Sequence, residues 1–136
     1  MKTKNEVINV TKDELKKRFT EYNRKYFNNE LGKCDFSFLS PKDNFYGRFV
    51  SQKQKNGKLK SRIWISKNVK WKEESLQETL VHEMIHMYVR TVERKTWCGL
   101  FGHGRAFRKH CKRLYKDFGL RIYKHPYYNI EDKKKE

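Results

Sequence analysis

The chain has 136 residues, with 33 Lys plus Arg against 16 Asp plus Glu and a formal net charge of +17. That length suits one compact domain, since dividing it would leave pieces too small to bury much apolar surface. With 36% hydrophobic residues, among them 9 Phe, 8 Tyr and 3 Trp, it is too apolar for a disordered polybasic tail and too basic for a surface indifferent to polyanions.

A folded domain that meets nucleic acid is therefore expected. The rival explanation of the charge is a solvated lysine-rich surface, in a chain whose only alanine is Ala106. No run approaches the roughly 18 apolar residues that cross a bilayer, and Met1-Lys2-Thr3-Lys4-Asn5-Glu6 lacks the apolar core of a signal peptide. A soluble, cytoplasmic protein without a membrane partner is the expectation. Cys34, Cys98 and Cys111 are odd in number and form no CxxC pair, which argues for reduced thiols, with Cys34 and Cys111 as small core residues.

Thr11-Lys12-Asp13-Glu14 reads as a capping box, and Leu15, Phe19, Tyr22 and Tyr26 behind it lie on one helical face. A first helix is predicted over about 11–28, stopped by Asn28-Asn29-Glu30-Leu31-Gly32. Three segments with period-two character follow, Asp35 to Leu39, Phe45 to Ser51 and Arg62 to Ser66, and predict a three-stranded antiparallel meander. Asn56-Gly57 marks a hairpin whose tip carries Lys53, Lys55, Lys58 and Lys60 as a cationic finger.

A second helix is predicted from about Lys72 to Arg90 on the stripe Leu76, Leu80, Met84 and Met87 or Tyr88. After a loop over about 93–102, a last helix runs from near Gly104 to Phe118, with Phe107, Cys111, Leu114 and Phe118 on its core face. Leu120 to Tyr123 reads as a short closing strand, and Glu131 to Glu136 as a frayed charged tail. The order predicts a single α+β domain over residues 1–136, its core about 11–123, with helices on one face of a small sheet.

Within the second helix stands His82-Glu83-Met84-Ile85-His86. Positions i and i+4 share a helical face, so both imidazoles can reach one zinc ion, while Glu83, the neighbour of a ligand, keeps its carboxylate free as a general base. A scrambled chain of this composition contains the pattern only about 0.014 times. Two histidines hold zinc poorly, so a third ligand is needed, with a fourth position left open for water. Val89 and Val92 occupy the places where a metzincin has its turn glycine and third histidine, which excludes that solution. Glu93, on a continuing helix, would lie about 10 Å further along the axis. His103, between Gly102 and Gly104 at the start of the last helix, is better placed; His110 and His125 are the alternatives, each read as a surface or supporting residue. Tyr88, Tyr115, Tyr123 and Arg105 are the candidates for stabilising an oxyanion, and the sequence does not choose between them.

These motifs, His82-Glu83-Met84-Ile85-His86 followed by Gly102-His103-Gly104 and Phe107, resemble the SprT-like zinc metallopeptidases, the group that includes Spartan and related DNA-dependent proteases. The stretch from Tyr22 to Leu31 also looks like that family's first-helix signature, so the resemblance covers about 11–123. It implies a small zincin-like fold, zinc held by His82, His86 and His103, Glu83 as catalytic general base, and cleavage of proteins trapped on DNA. No CxxC pair follows the last helix, so the zinc ribbon of longer relatives is not expected here.

For DNA, single-stranded DNA included, the candidate contacts are Lys53, Lys55, Lys58 and Lys60 with Arg105, Arg108, Lys109, Lys112, Arg113 and Lys116. Of these, Arg105, Arg108, Lys109, Lys112 and Lys116 follow helical spacing and form a positive stripe opposite the core face of the last helix, suited to phosphates without base specificity. Trp64, Trp71 and Trp97 could offer stacking surfaces. The competing functional classes are a zinc-stabilised nucleic-acid-binding module without hydrolysis, and a peptidase indifferent to DNA.

Overall fold

A computed structural model describes residues 6–43, 46–95 and 103–123. Three helices, α1 (Lys12–Phe27), α2 (Glu73–Met87) and α3 (Arg105–Phe118), accompany three strands, β1 (Cys34–Leu39), β2 (Gly47–Lys53) and β3 (Leu59–Ser66). The arrangement is α+β, as the sequence predicts. Trp97, Cys98, Gly102, His125 and the tail Glu131 to Glu136 fall outside the described residues.

Helix α1 begins where the Thr11 hydroxyl accepts from the Glu14 amide at 3.1 Å. It stops at Asn28 and Asn29, both left-handed, with φ of 53° and 59°. Asn23 then clasps the returning chain, donating to the Leu31 carbonyl at 2.9 Å and accepting from the Leu31 amide at 3.1 Å. Near its other end Arg18 forks onto Glu73 with contacts of 2.6 and 2.8 Å, tying α1 to the first turn of α2.

The sheet corrects the predicted meander. Its order is β1-β3-β2; β1 lies parallel to β3, and only β2 and β3 form an antiparallel hairpin. The reason is burial. Ile63 and Ile65 on β3 are wholly buried, so β3 needs a neighbour on both sides, whereas β2 alternates between half-buried and exposed and suits an edge. The Asn56-Gly57 turn is present, with Gly57 at φ 81°, a left-handed conformation suited to glycine.

Helices α1 and α2 cover one face of the sheet. Phe19 meets Phe36 edge to face at 5.7 Å, and Leu15, Leu76, Leu80, Met84 and Ile85 join Ile63 and Ile65 in the same core. Each such side chain contributes about 1.5–3 kcal/mol on burial. On the other face, half-buried Trp64 lies under the Arg62 guanidinium, 5.9 Å from its ring centre. Trp71 is not a stacking surface: it is 1% exposed and its indole donates to the Ser66 carbonyl at 2.7 Å.

The second helix is α-helical only to Met87, and a π-helical turn, Tyr88–Val92, replaces its predicted end. The widened turn shows in the Glu93 amide donating to the Tyr88 carbonyl, five residues back, at 3.0 Å. Leu120 to Tyr123 is no strand either. Its bonds go elsewhere: the Leu120 amide donates to the Leu114 carbonyl at 3.2 Å, and the Tyr123 main chain is bound by side chains of α2. Among the described residues, no helix is long and apolar enough to cross a membrane.

Candidate metal centre

His82 and His86 stand one turn apart on α2, and His103 lies two residues before α3, whose N-cap is Gly104. The three Nε2 atoms converge at 3.3 Å (His82 to His86), 3.2 Å (His86 to His103) and 3.2 Å (His82 to His103). A tetrahedral zinc with bonds of about 2.0–2.1 Å separates its ligands by about 3.3 Å, so the triangle fits such an ion. Among the described residues, His82, His86 and His103 are the group whose ligand atoms could hold a metal.

Protonation agrees with that fit. His82 Nδ1 lies 3.0 Å from the Tyr123 carbonyl oxygen, which can only accept, so Nδ1 carries the proton and Nε2 presents its lone pair. Burial, reinforced by neighbouring His103, pushes His86 down to about 4 and keeps its imidazole neutral. Beneath all three rings sits Phe107, wholly buried, its ring centre 4.8 Å from His82, 4.7 Å from His86 and 4.8 Å from His103. Phe107 thus sets the plane on which the imidazoles rest, beyond the core role its helical spacing suggests.

Glu83 points to the same place, with Oε2 4.0 Å from His82 Nε2. Burial pushes this carboxyl up to about 8, a rise partly offset by a hydrogen bond from the Phe49 main-chain N–H. Strand β2 can come this close because residue 47 is glycine. A Cβ there would lie 2.9 Å from Thr79 Cγ2 and 3.1 Å from Glu83 Oε2. Neither Gly47 nor the Phe49 amide stands out in the sequence, although a glycine inside a strand pattern is a signal of close approach.

The chain matches the family model described as SprT-like over residues 15–131. It belongs to the SprT-like family. No curated protein matches the chain. Membership in the SprT-like family, together with three histidines that could hold a metal, fits a metallopeptidase-like domain.

The remaining predicted site residues are spread elsewhere on this SprT-like domain. Lys53, Lys55, Lys58 and Lys60 are exposed on the β2–β3 hairpin, and Arg105, Arg108, Lys109, Lys112 and Lys116 are exposed along α3. Four of the latter, Arg105, Arg108, Lys109 and Lys112, line one concavity. Arg113, the candidate on this helix outside the stripe, turns inward. Its guanidinium covers the Phe27 ring at 5.4 Å, and its Nε donates to His110 Nδ1 at 2.9 Å. His110 is therefore neither a surface residue nor part of the histidine triangle: it is 5% exposed, with Nε2 3.1 Å from Glu93 Oε1. Of the oxyanion candidates, the Tyr88 hydroxyl donates to Glu30 at 3.0 Å and the Tyr115 hydroxyl accepts from Arg121 at 3.0 Å. Among the described residues, the thiols of Cys34, buried, and Cys111, half-buried, are free, and burial pushes them up to about 12 and 11.

Proposed function

We infer that this SprT-like chain is a zinc-dependent endopeptidase in which His82, His86 and His103 hold the ion and Glu83 is the general base. One observation carries the reading: three histidine Nε2 atoms lie within 3.3 Å of one another, beside a buried carboxylate. Structural zinc sites are closed by four protein ligands, whereas three ligands and an open position are the pattern of catalytic zinc. Three converging ligands among the described residues therefore favour hydrolysis over a merely zinc-stabilised binding module.

Zinc held there supplies Lewis-acid polarisation of a substrate carbonyl and lowers the pKa of water at the metal. Glu83, beside the ligand set, takes a proton from the attacking water and passes it to the leaving nitrogen. The Phe49 amide and the tight passage at Gly47 hold the carboxylate in position for both transfers. Strand β2 is an edge strand, so an extended peptide added along its open side would run past Glu83.

Exposed Lys53, Lys55, Lys58 and Lys60, with Arg105, Arg108, Lys109, Lys112 and Lys116, support association with the phosphates of DNA, and hence substrates that are proteins bound or crosslinked to it. The deciding experiment incubates zinc-loaded protein with a basic DNA-binding protein, with and without single-stranded DNA, alongside Glu83→Gln. Wild-type cleavage stimulated by DNA and weakened by moderate salt is expected, with Glu83→Gln retaining zinc and losing cleavage. Undiminished cleavage by Glu83→Gln removes the base assignment. Cleavage indifferent to DNA removes the nucleic-acid partner, and DNA binding without any cleavage returns the chain to the binding-module class.

A further inference from the structure

Glu78 is a carboxyl group 6% exposed, on α2 one turn before His82, and the hydrolytic reading gives it no task. Burial pushes it up to about 7, so the fold bears a cost for keeping it there. Its Oε1 accepts from the Tyr123 main-chain N–H at 3.4 Å, and His82 Nδ1 donates to the carbonyl oxygen of that same residue at 3.0 Å. Side chains at i and i+4 of a helix lie on one face. Two neighbours on α2 therefore grip one residue by both of its main-chain groups.

The grip matters because, among the described residues, the other polar fixings after α3 lie upstream of Tyr123: the Leu120 amide on the Leu114 carbonyl and Arg121 on the Tyr115 hydroxyl. Ile122 is buried, which anchors the chain without orienting the carbonyl of the next residue, and the Tyr123 side chain is 41% exposed. The direction of that carbonyl decides which nitrogen of His82 bears the proton. Without it, the imidazole is free to carry the proton on Nε2, where it would face the other two histidines and block a metal.

We propose that Glu78 is a positioning residue for the metal centre: by holding the Tyr123 N–H it fixes the carbonyl that keeps His82 in the Nδ1–H form. The metal half of this inference rests on the zinc reading above, whereas the tautomer half does not. Glu78→Met keeps the side-chain length and removes the acceptor; Glu78→Gln keeps an acceptor oxygen.

In chelator competition, Glu78→Met should lose about 10–100-fold in zinc affinity, the range for outer partners of metal-binding histidines, and Glu78→Gln should hold the wild-type value. In metal-free protein, the ring-nitrogen NMR shifts of His82 should move from the Nδ1–H form in wild type and Glu78→Gln toward a mixture in Glu78→Met. Should Glu78→Met not fold, Glu78→Ala is read in the same way. A folded variant with wild-type zinc affinity and an unmoved His82 tautomer overturns the proposal. Wild-type protein that takes up no zinc, yet whose His82 tautomer shifts on Glu78→Met, overturns the zinc reading and sustains the link from Glu78 to His82.

Discussion

Two clusters, each built around a buried histidine, His110 in one and His82 in the other, lie on either side of the π-helical turn, and they are built in opposite ways. At His110 each ring nitrogen faces a partner of complementary kind: Arg113 donates to Nδ1 at 2.9 Å, and Nε2 donates to Glu93 at 3.1 Å. At His82, His86 and His103, three Nε2 atoms of one kind face each other at 3.2–3.3 Å. Neutral acceptors in such a triangle repel one another unless a cation sits among them. The first cluster is complete as protein, joining the turn to α3, while the second has the composition of a ligand set. Burial alone does not separate them, since His110 is 5% exposed and His82 6%. What separates them is whether the neighbours of the ring nitrogens are complementary or alike.

Four substitutions press on that contrast. The largest effect is expected from His103→Gln beside His110→Gln. The first should abolish stoichiometric zinc uptake and cleavage, measured by elemental analysis and peptide hydrolysis. The second should keep both and lower stability by about 1–3 kcal/mol, the cost of leaving buried partners unpaired. Zinc loss in His110→Gln would erase the distinction.

Next in size is Gly47→Ala, which acts on the carboxylate beside the triangle and leaves the triangle itself alone. Its new methyl would meet Thr79 and Glu83 at 2.9 and 3.1 Å. Displacing a catalytic group by about 1 Å costs about 10²-fold, so kcat should fall by that order with zinc content unchanged. A wild-type kcat would show that β2 does not set the position of Glu83.

The smallest effect is a pH dependence at Glu78. Burial raises its folded-state pKa to about 7 from the ordinary 4.5, so its contribution to stability is fully present below 4.5 and is lost as pH rises through about 7. Glu78→Gln, which cannot ionise, should therefore match wild type near pH 4.5 and melt higher than wild type above pH 7. Parallel melting curves across that range would show that the carboxyl is better solvated than its burial implies.

Much of the site was legible in the sequence because its chemistry is local. The i, i+4 spacing of His82 and His86 fixes a shared helical face, and Gly104 leaves His103 at the mouth of α3. Helix α1 was legible for the same reason, since Thr11 and the Leu15 to Tyr26 stripe act within a few turns. What escaped depends on distant partners. Period-two alternation identifies β1, β2 and β3 as strands but is silent on which two flank β3. Glu78 sits in a run with Glu73 and Glu74 and reads as an ordinary surface acid until Tyr123 arrives from 45 residues away. Residues 120–123 carry a strand-like pattern but form no strand, because the Leu120 amide bonds back to α3 and the Tyr123 main chain bonds to side chains, which no alternation pattern encodes. Arg113 likewise reads as one more cation beside Lys112 and turns inward because Phe27 and His110 lie within reach.

The π-helical turn leaves one consequence for sequence variation. A π turn holds one more residue than the α-helical turn it replaces while rotating through nearly the same angle, so the stretch from Tyr88 to Val92 is a place where the chain absorbs an extra residue. Deleting a single residue there would restore ordinary winding and leave the downstream chain near its present orientation, whereas a deletion within α2 would swing it by about 100° around the axis. A one-residue deletion should therefore be tolerated far better within this stretch than within α2.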